Sequence, residues 1–381
     1  MATRTGVSRS EGILTVFRIE MLPAGHGDCL LIEYGDPETL HRVLVDGGPY
    51  YAFSNLARRI DDLAASRATL ELLVVSHVDA DHIDGAIKLL GAPSRSLAVK
   101  DVWFNSWQHL SPSPADLLGP VEGEILTTLI QERDLPWNMA FGGRRAPVAL
   151  SAGTALPVVT LCGGLRLTLL SPTMRALAHL HPLWAREVRS AGLEERTRED
   201  ILERLRNNAR LRPPPDLLGE VVPDIRYLAG RPFFADDSAA NRSSIALLAE
   251  YEGNRCLLAA DAHATDLEDS IQRLLVERGE QRLAVDAVKL SHHGSQGNTS
   301  PRLLRLLDCK RFLISTNGSY FRHPDGEALA RAIVASGPDV KLFFNYASDE
   351  TLVWGDEVLQ QQHRYRAHYP AEGANGLTVE L

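Results

Sequence analysis

The first 105 residues consist of short apolar runs separated by polar or glycine-containing breaks, which is the pattern of strands bounded by turns. Apolar positions at helical spacing predict helices over Ser54–Ala65 and Ile83–Leu90 between these runs. The predicted strands are Ile13–Met21, Cys29–Tyr34, Arg42–Val45, Leu72–Val75 and Val102–Asn105. Because strands and helices alternate, the pattern indicates an α/β fold.

The alternation resumes after residue 240. Two apolar runs, Ser244–Tyr251 and Cys256–Ala260, are joined by Glu252-Gly253-Asn254 and predict a β-hairpin. The elements predicted after the hairpin are Leu267–Arg278, Val285–Leu290, Pro301–Leu307, Arg311–Ser315, Gly326–Ala335, Lys341–Asn345 and Gly376–Leu381. Two β-rich parts that each carry helices favour two sheets packed face to face with the helices outside.

The segment 173–235 differs from both parts. Met174–Arg212 is helical in composition and rich in Arg and Glu, and Pro213-Pro214-Pro215 ends it. We therefore expect a helical insertion, 173–235, between an N-terminal half, 1–172, and a C-terminal half, 236–381, of one fold. A solvated, salt-bridged helical pair and a lid or partner surface remain alternative interpretations of the insertion.

The composition is that of a globular protein, with 44% hydrophobic and 23% charged residues. No apolar run approaches the roughly 20 residues that a membrane helix needs, and no apolar segment follows the arginines of the first ten residues. We therefore expect a cytoplasmic protein without membrane association. The net charge of −9 (40 basic against 49 acidic residues) lowers the expectation of a broad groove for duplex nucleic acid.

The residues with metal-binding chemistry follow apolar runs, where α/β folds place their sites. His77, Asp79, Asp81 and His82 come directly after one predicted strand, and imidazole with carboxylate suits zinc, iron or manganese. An Asx turn that caps the helix at Ile83 is the structural alternative. Further polar groups at such positions are Gly25-His26-Gly27-Asp28, Asp261 and His292-His293.

These motifs together resemble the metallo-β-lactamase fold superfamily, and most closely its ComEC/Rec2-like branch, the hydrolase domain of DNA-uptake proteins and stand-alone relatives. The segment from His77 to His82 matches the HxDxDH motif of that branch. The other matching segments are Gly25 to Asp28, Leu44 to Gly48, Asn241 to Ser244, Leu257 to Asp261, Lys289 to Ser295 and His323-Pro324. The likeness covers about 14–105 and 240–335 and implies an αββα four-layer sandwich that carries the helical insertion.

The resemblance also implies a site for two divalent metal ions, zinc or manganese. His77 and Asp79 would hold the first ion, Asp81 and His82 the second, and Asp261 would bridge them. One histidine of the pair His292-His293 would complete the ligand set of the second ion, while the other faces the substrate. We take His292 as the ligand and His293 as the catalytic group.

Other residues are assigned supporting or catalytic roles by the same likeness. Asp28, Asp46 and Asn241 would orient the ligand histidines, although turn formation beside glycine explains the two carboxylates equally well. The catalytic candidates besides His293 are Asp81, Lys289 and His323. Asp81 would orient the attacking hydroxide, and the others would donate to a phosphoryl oxygen or to the leaving group.

Two departures from the superfamily pattern affect the first ion. Asp79 stands where a histidine is usual, and no residue clearly matches the third histidine of the family. An oxygen-richer and less tightly held first ion is therefore expected, which favours manganese over two tight zinc ions.

The function predicted is a binuclear metal-dependent hydrolase, a phosphodiesterase or nuclease that uses a metal-bridged hydroxide. Its expected substrate is a phosphodiester, with nucleic acid among the candidates. One alternative is a hydrolase of a small-molecule ester, cyclic nucleotide or lactone. Another is a partner-activated or regulatory component of a larger, even defence-related, complex that docks through 173–235. A basic groove would favour nucleic acid, and its candidate residues are Arg231, Arg242, Lys289, Arg302 and Arg322.

Overall fold

The computed structural model describes residues 15–66, 68–92, 97–110, 121–153, 155–180 and 223–381. The predicted insertion is described only at its two ends, where 174–180 and Ile225–Ala229 are helical. Its middle lies outside the described residues, so the helical pair and the division of the chain at 173 and 235 stay predictions.

The strands and helices follow the alternation of the sequence closely. The strands are β1 (Val16–Met21), β2 (Leu30–Asp36), β3 (Thr39–Val45), β4 (Thr69–Leu70), β5 (Leu72–Val74), β6 (Ala98–Val99), β7 (Val102–Trp103), β8 (Val158–Thr160), β9 (Arg166–Ser171), β10 (Ala246–Tyr251), β11 (Asn254–Leu258), β12 (Leu283–Ala284), β13 (Ala287–Lys289), β14 (Leu307–Asp308), β15 (Arg311–Ile314), β16 (Val340–Phe344), β17 (Tyr365–His368) and β18 (Leu377–Glu380). The other α-helices of the described residues are Phe53–Ala65, Ala80–Gly91, Val121–Glu132, Ala239–Arg242, Ala264–Arg278, Pro301–Leu306, Gly326–Ser336, Asp349–Leu352 and Glu357–His363.

Two large mixed sheets contain most of the strands. The six-stranded sheet has the order β18-β1-β2-β3-β5-β7, and the eight-stranded sheet has the order β17-β16-β15-β13-β11-β10-β9-β8. Strands β8 and β9 precede residue 172 but belong to the larger sheet, whereas β18 returns to the smaller one. Each sheet therefore takes strands from both sides of the predicted insertion. The prediction of a mixed α/β fold is confirmed.

Alternating side chains of the six-stranded sheet face different cores, as the period of two along a strand requires. In β2, Ile32 shares one core with Leu247 and Phe312 of the eight-stranded sheet. Its neighbour Leu31 belongs to a second core with Leu56 of the helix Phe53–Ala65. The six-stranded sheet therefore packs against an apolar core on each of its two faces.

Parallel neighbours in each sheet end at the same edge, and this brings the candidate groups together. In the smaller sheet β3 and β5 are adjacent and parallel, and Asp46 and His77 follow them. In the larger sheet β11, β13 and β15 are adjacent and parallel, and Asp261, His293 and Ser315 follow them. Among the described residues, no helix is both long and apolar enough to cross a membrane.

Candidate metal centre

The turn after β5 presents the first group of polar side chains. The helix that follows begins at Ala80, earlier than the predicted Ile83, so Asp81 and His82 lie in its first turn. Asp79 occupies the N-cap position, but its side chain makes no capping hydrogen bond. Its carboxylate instead lies 3.5 Å from Nε2 of His77. The capping interpretation of this carboxylate is therefore not what the structure shows.

Asp261 lies at the centre of four histidines. Its Oδ2 is 3.3 Å from Nε2 of His82 and 3.8 Å from Nε2 of His77. The same oxygen is 3.8 Å from Nε2 of His293 and 3.9 Å from Nε2 of His292. Residues that follow strands of two sheets thus direct the same ring nitrogen toward one carboxylate, and the bridging role of Asp261 stays a prediction.

The inner atoms of this cluster are buried and unpaired. Among the described residues, Nε2 of His77, His82 and His293 and Oδ1 of Asp261 have no hydrogen-bond partner. Buried polar atoms are nearly always paired, so a group of such orphans that point at one another calls for an explanation. Nitrogen and carboxylate donors of this kind fit divalent zinc or manganese. Two of the residue groups that could hold a metal ion include these inner atoms and share His82: His77, His82 and Asp261, and Asp81, His82 and His293.

The two adjacent histidines face different surroundings. His293 is fully buried, and its Nε2 lies 3.3 Å from Oδ2 of Asp81. The side chain of His292 is 20% exposed, and its Nδ1 lies 3.1 Å from Oδ1 of Asn298. Since burial and the approach to Asp81 favour His293 as the ligand, the structure favours the reverse of the predicted assignment, with His292 nearer the opening.

Asp46 supports the helix side of the cluster from behind. Its Oδ2 lies 2.8 Å from Nδ1 of His82, and its two oxygens accept hydrogen bonds from the backbone N–H and the hydroxyl of Ser76. A carboxylate on one ring nitrogen fixes the orientation of the other. Asp46 therefore lies where it can direct Nε2 of His82 toward Asp261, and its role in orienting a metal ligand stays a prediction.

Asp28 supports the other side of the cluster together with Lys289. Oδ1 of Asp28 lies 3.3 Å from Nδ1 of His293, and that nitrogen also lies 2.9 Å from the carbonyl oxygen of Ser315. The ammonium of Lys289, which has no exposed surface, donates to the other carboxylate oxygen of Asp28. A lysine so enclosed is not placed to reach a substrate, which does not favour the predicted role of Lys289 as a proton donor. It lies where it can position Asp28.

Opposite charges set the protonation of this cluster. Burial lowers the pKa of His82 and His293, but nearby carboxylates, Asp261 above all, outweigh it and raise that of His293 to about 9. Burial likewise opposes ionisation of Asp28, yet Lys289 and His293 hold the pKa of this carboxyl below its usual value. The carboxylates at the centre therefore stay charged and are suited to a cation.

Sequence reasoning missed Asp236 and Asn298, which hold His292. Oδ2 of Asp236 accepts hydrogen bonds from the side-chain amides of Asn241 (2.8 Å) and Asn298 (3.0 Å), and lies 3.5 Å from Nδ1 of His292. The predicted Asn241 does lie beside His292, with its Nδ2 3.3 Å from Nδ1. Asp236 precedes Asp237-Ser238, a sequence typical of helix caps, so no local signal separates it from a capping residue.

His323 lies on the outer side of His292. Their ring centroids are 5.0 Å apart, and Nδ1 of His323 lies 3.3 Å from Oδ1 of Asp325. His323 therefore stays a candidate for contact with a substrate or leaving group, although its side chain is mostly buried.

The residues proposed for a basic groove are largely neutralised. Arg231 pairs with Glu327 and Arg302 with Glu268, while Arg242 makes two hydrogen bonds to Asp266. Lys289 is enclosed with Asp28, as described above. Four of the five candidates are thus committed to carboxylates and supply little net positive charge to a groove.

Comparisons with known proteins do not identify the function of this site. No protein-family model and no curated protein matches the chain. Among solved structures, the chain aligns with CmlA, a diiron beta-hydroxylase from Streptomyces venezuelae, at 12% identity and a TM-score of 0.40. The alignment covers 96% of this chain and 54% of the other, so the chain spans about half the length of that protein. A likeness of this extent assigns neither family nor activity.

Proposed function

We propose that this chain is a binuclear metal-dependent hydrolase that cleaves a phosphodiester. The observation that carries the proposal is the convergence of four histidine Nε2 atoms on Oδ2 of Asp261. The same proposal includes membership of the ComEC/Rec2-like branch of the metallo-β-lactamase superfamily, which the likeness of the sequence motifs supports. An αββα four-layer sandwich with an inserted segment is the corresponding architecture.

The side chains divide into two ligand groups. His77 and Asp79 would hold one ion, Asp81, His82 and His293 the other, and Asp261 would lie between them. When bound, two divalent ions, zinc or manganese, lower the pKa of a water molecule and neutralise charge on a phosphodiester. Asp79 is 41% exposed, so these residues would give the first ion the more open and oxygen-rich environment.

His292 and His323 lie at the open side of the centre and are the groups placed to handle protons. Asp236 lies beside Nδ1 of His292, which leaves Nε2 directed inward. Although burial opposes it, Asp261 and Asp236 raise the pKa of His292 above its usual value and so favour the protonated ring. An imidazole at this position, when protonated, is suited to donate a proton to the leaving oxygen.

A second candidate is hydrolysis of a small phosphodiester such as a cyclic nucleotide. The pairing of Arg231, Arg242 and Arg302 with carboxylates favours it over a duplex nuclease, since duplex binding depends on phosphate contacts from many free cations. Activation by a partner through 173–235 remains a third proposal.

The test is metal content followed by a cleavage screen. Bound Zn, Mn, Fe and Ni are quantified in chelator-free protein, and Mn²⁺ is then added with single- and double-stranded DNA, RNA, cyclic nucleotides and bis(p-nitrophenyl) phosphate. Cleavage that disappears in Asp81→Ala supports the proposal. Bound metal with no cleavage of any phosphodiester would contradict it and move the assignment to another ester or a lactone.

A further inference from the structure

Aromatic side chains form an exposed surface beside the metal centre. Tyr51, Tyr320 and Phe321 are 60%, 53% and 53% exposed. The ring of His26 stacks on that of Tyr320 with centroids 5.1 Å apart and an interplanar angle of 23°. Tyr320 in turn contacts Phe321 edge to face at 4.5 Å. We name these four residues, His26, Tyr51, Tyr320 and Phe321, the aromatic platform.

The platform is joined to the metal centre at two places. The ring of Phe321 lies 6.3 Å from that of His292, whose Nε2 faces Asp261. His26 belongs to the same short loop as Asp28, the carboxylate beside His293. A group lying on the platform is therefore next to the open side of the metal centre.

Backbone contacts fix the position of the platform. The N–H of Asn317 donates to the carbonyl of Gly25 at 2.9 Å, which ties the loop of His26 to that of Tyr320. Nδ1 of His26 lies 2.9 Å from the hydroxyl of Tyr51. Gly25 has a φ of +63°, and a Cβ there would lie 2.0 Å from that hydroxyl, so only glycine allows the approach. The platform is a formed surface and not a chance group of side chains.

A planar apolar partner fits this surface best. Exposed aromatic rings bind nucleic-acid bases by stacking, and every base offers a π-face. A base inside a duplex is already covered by its neighbours, so a surface of this kind selects unpaired bases. The arginines that pair with carboxylates support the same conclusion, because they offer little free positive charge to the phosphates of a duplex.

We propose that the aromatic platform binds an unpaired nucleobase of the substrate and so presents the neighbouring phosphodiester to the metal centre. The inference rests on the proposed function and specifies its substrate class. A single strand and a cyclic mononucleotide share this chemistry, and the experiment separates them.

Binding is measured without divalent metal, so that it does not depend on turnover. Fluorescence anisotropy in EDTA compares an end-labelled single-stranded octathymidylate, the same octamer with abasic residues, and a labelled duplex. Unlabelled cyclic nucleotides compete in a parallel series. The proteins are the wild type, the double variant Tyr320→Ala/Phe321→Ala, and the control Tyr227→Ala. Tyr227 is 66% exposed and lies in the helix Ile225–Ala229, outside the platform.

We expect the wild type to bind the octathymidylate more tightly than the abasic octamer or the duplex. The double variant should lose about 10-fold or more of that affinity, the effect expected for removing a stacked base contact, and the control variant should not. Competition by cyclic nucleotides at lower concentration than by the octamer would identify a mononucleotide as the ligand.

Equal affinity for base-bearing and abasic octamers, an unchanged affinity in the double variant, or tighter binding of duplex would overturn the inference. The proposed function is judged separately, by cleavage with Mn²⁺. Base-dependent binding without cleavage would support the platform and contradict the phosphodiesterase proposal. Cleavage without base-dependent binding would support the phosphodiesterase proposal and contradict the platform.

Discussion

Lys289 donates from its ammonium to Asp28, and both side chains are withdrawn from solvent. The pair joins the end of β13 to the loop before β2, and Asp28 in turn faces Nδ1 of His293. The orientation of a proposed metal ligand therefore depends on a buried ion pair whose members lie far apart in the sequence.

Replacement of Lys289 by methionine should destabilise the protein strongly. Removal of one partner leaves the carboxylate of Asp28 buried without its cation, which typically costs about 3–5 kcal/mol. The double variant Asp28→Asn/Lys289→Met removes both charges and should recover much of that loss. Urea unfolding of the single and double variants measures the coupling. Additive losses in the double variant would show that the pair does not act as a unit.

Asp261→Asn should lower metal stoichiometry and abolish turnover while the chain stays folded. The substitution removes the charge toward which all four histidines point, but keeps the size of the side chain. Metal analysis, hydrolysis of bis(p-nitrophenyl) phosphate and circular dichroism report the three properties. Asp269→Asn, at an exposed position of the helix Ala264–Arg278, is the control. Full metal content in Asp261→Asn would disprove the bridging role.

Asp236→Ala should impair the reaction without removing the metal. The carboxylate lies beside Nδ1 of His292 and accepts from Asn241 and Asn298, so its loss frees the ring to rotate. We expect a lower kcat with a shifted pH profile and little change in KM. The exposed neighbour Asp237 gives a matched control in Asp237→Ala. If the two variants behave alike, Asp236 has no positioning role.

The stability contributed by Glu33 should depend on pH. This buried carboxylate accepts hydrogen bonds from Arg18, Arg42 and Arg59. Burial by itself raises the pKa of Glu33, but the arginines outweigh it and lower the pKa below the usual value. A depressed folded pKa means that the contribution is present above the unfolded value of about 4.3 and is lost as the pH falls through the folded value.

The corresponding measurement is the unfolding free energy of the wild type and Glu33→Gln at pH 7 and at successively lower values. The difference between them should be largest near neutrality and shrink on acidification. A difference that stays constant or grows toward low pH would contradict the assigned sign.

The segment after β5 shows which features a local sequence pattern can predict. The apolar run Leu72–Val75 and the polar residues after it are short-range signals, and the structure places strand and cluster where the pattern predicts. The predicted start of the next helix at Ile83 was late by one turn, because Asp79, Asp81 and His82 have low helix propensity but are held in or beside its first turn.

The order of strands and helices could be predicted from the amino-acid sequence, and so could the candidate ligands His77, Asp81, His82 and Asp261. Both follow from side-chain periodicity and from residue types that lie close together along the chain. The fold was needed to show that His293 is the more enclosed of the adjacent histidines and that Lys289 is enclosed with Asp28.

The same holds for Asp236 behind His292, for the pairing of the arginines, and for the aromatic platform. Each depends on contacts between segments far apart in the sequence, such as the loop of His26 and that of Tyr320. Burial and pairing of a charged or aromatic side chain are set by what packs against it, and no local pattern contains that information.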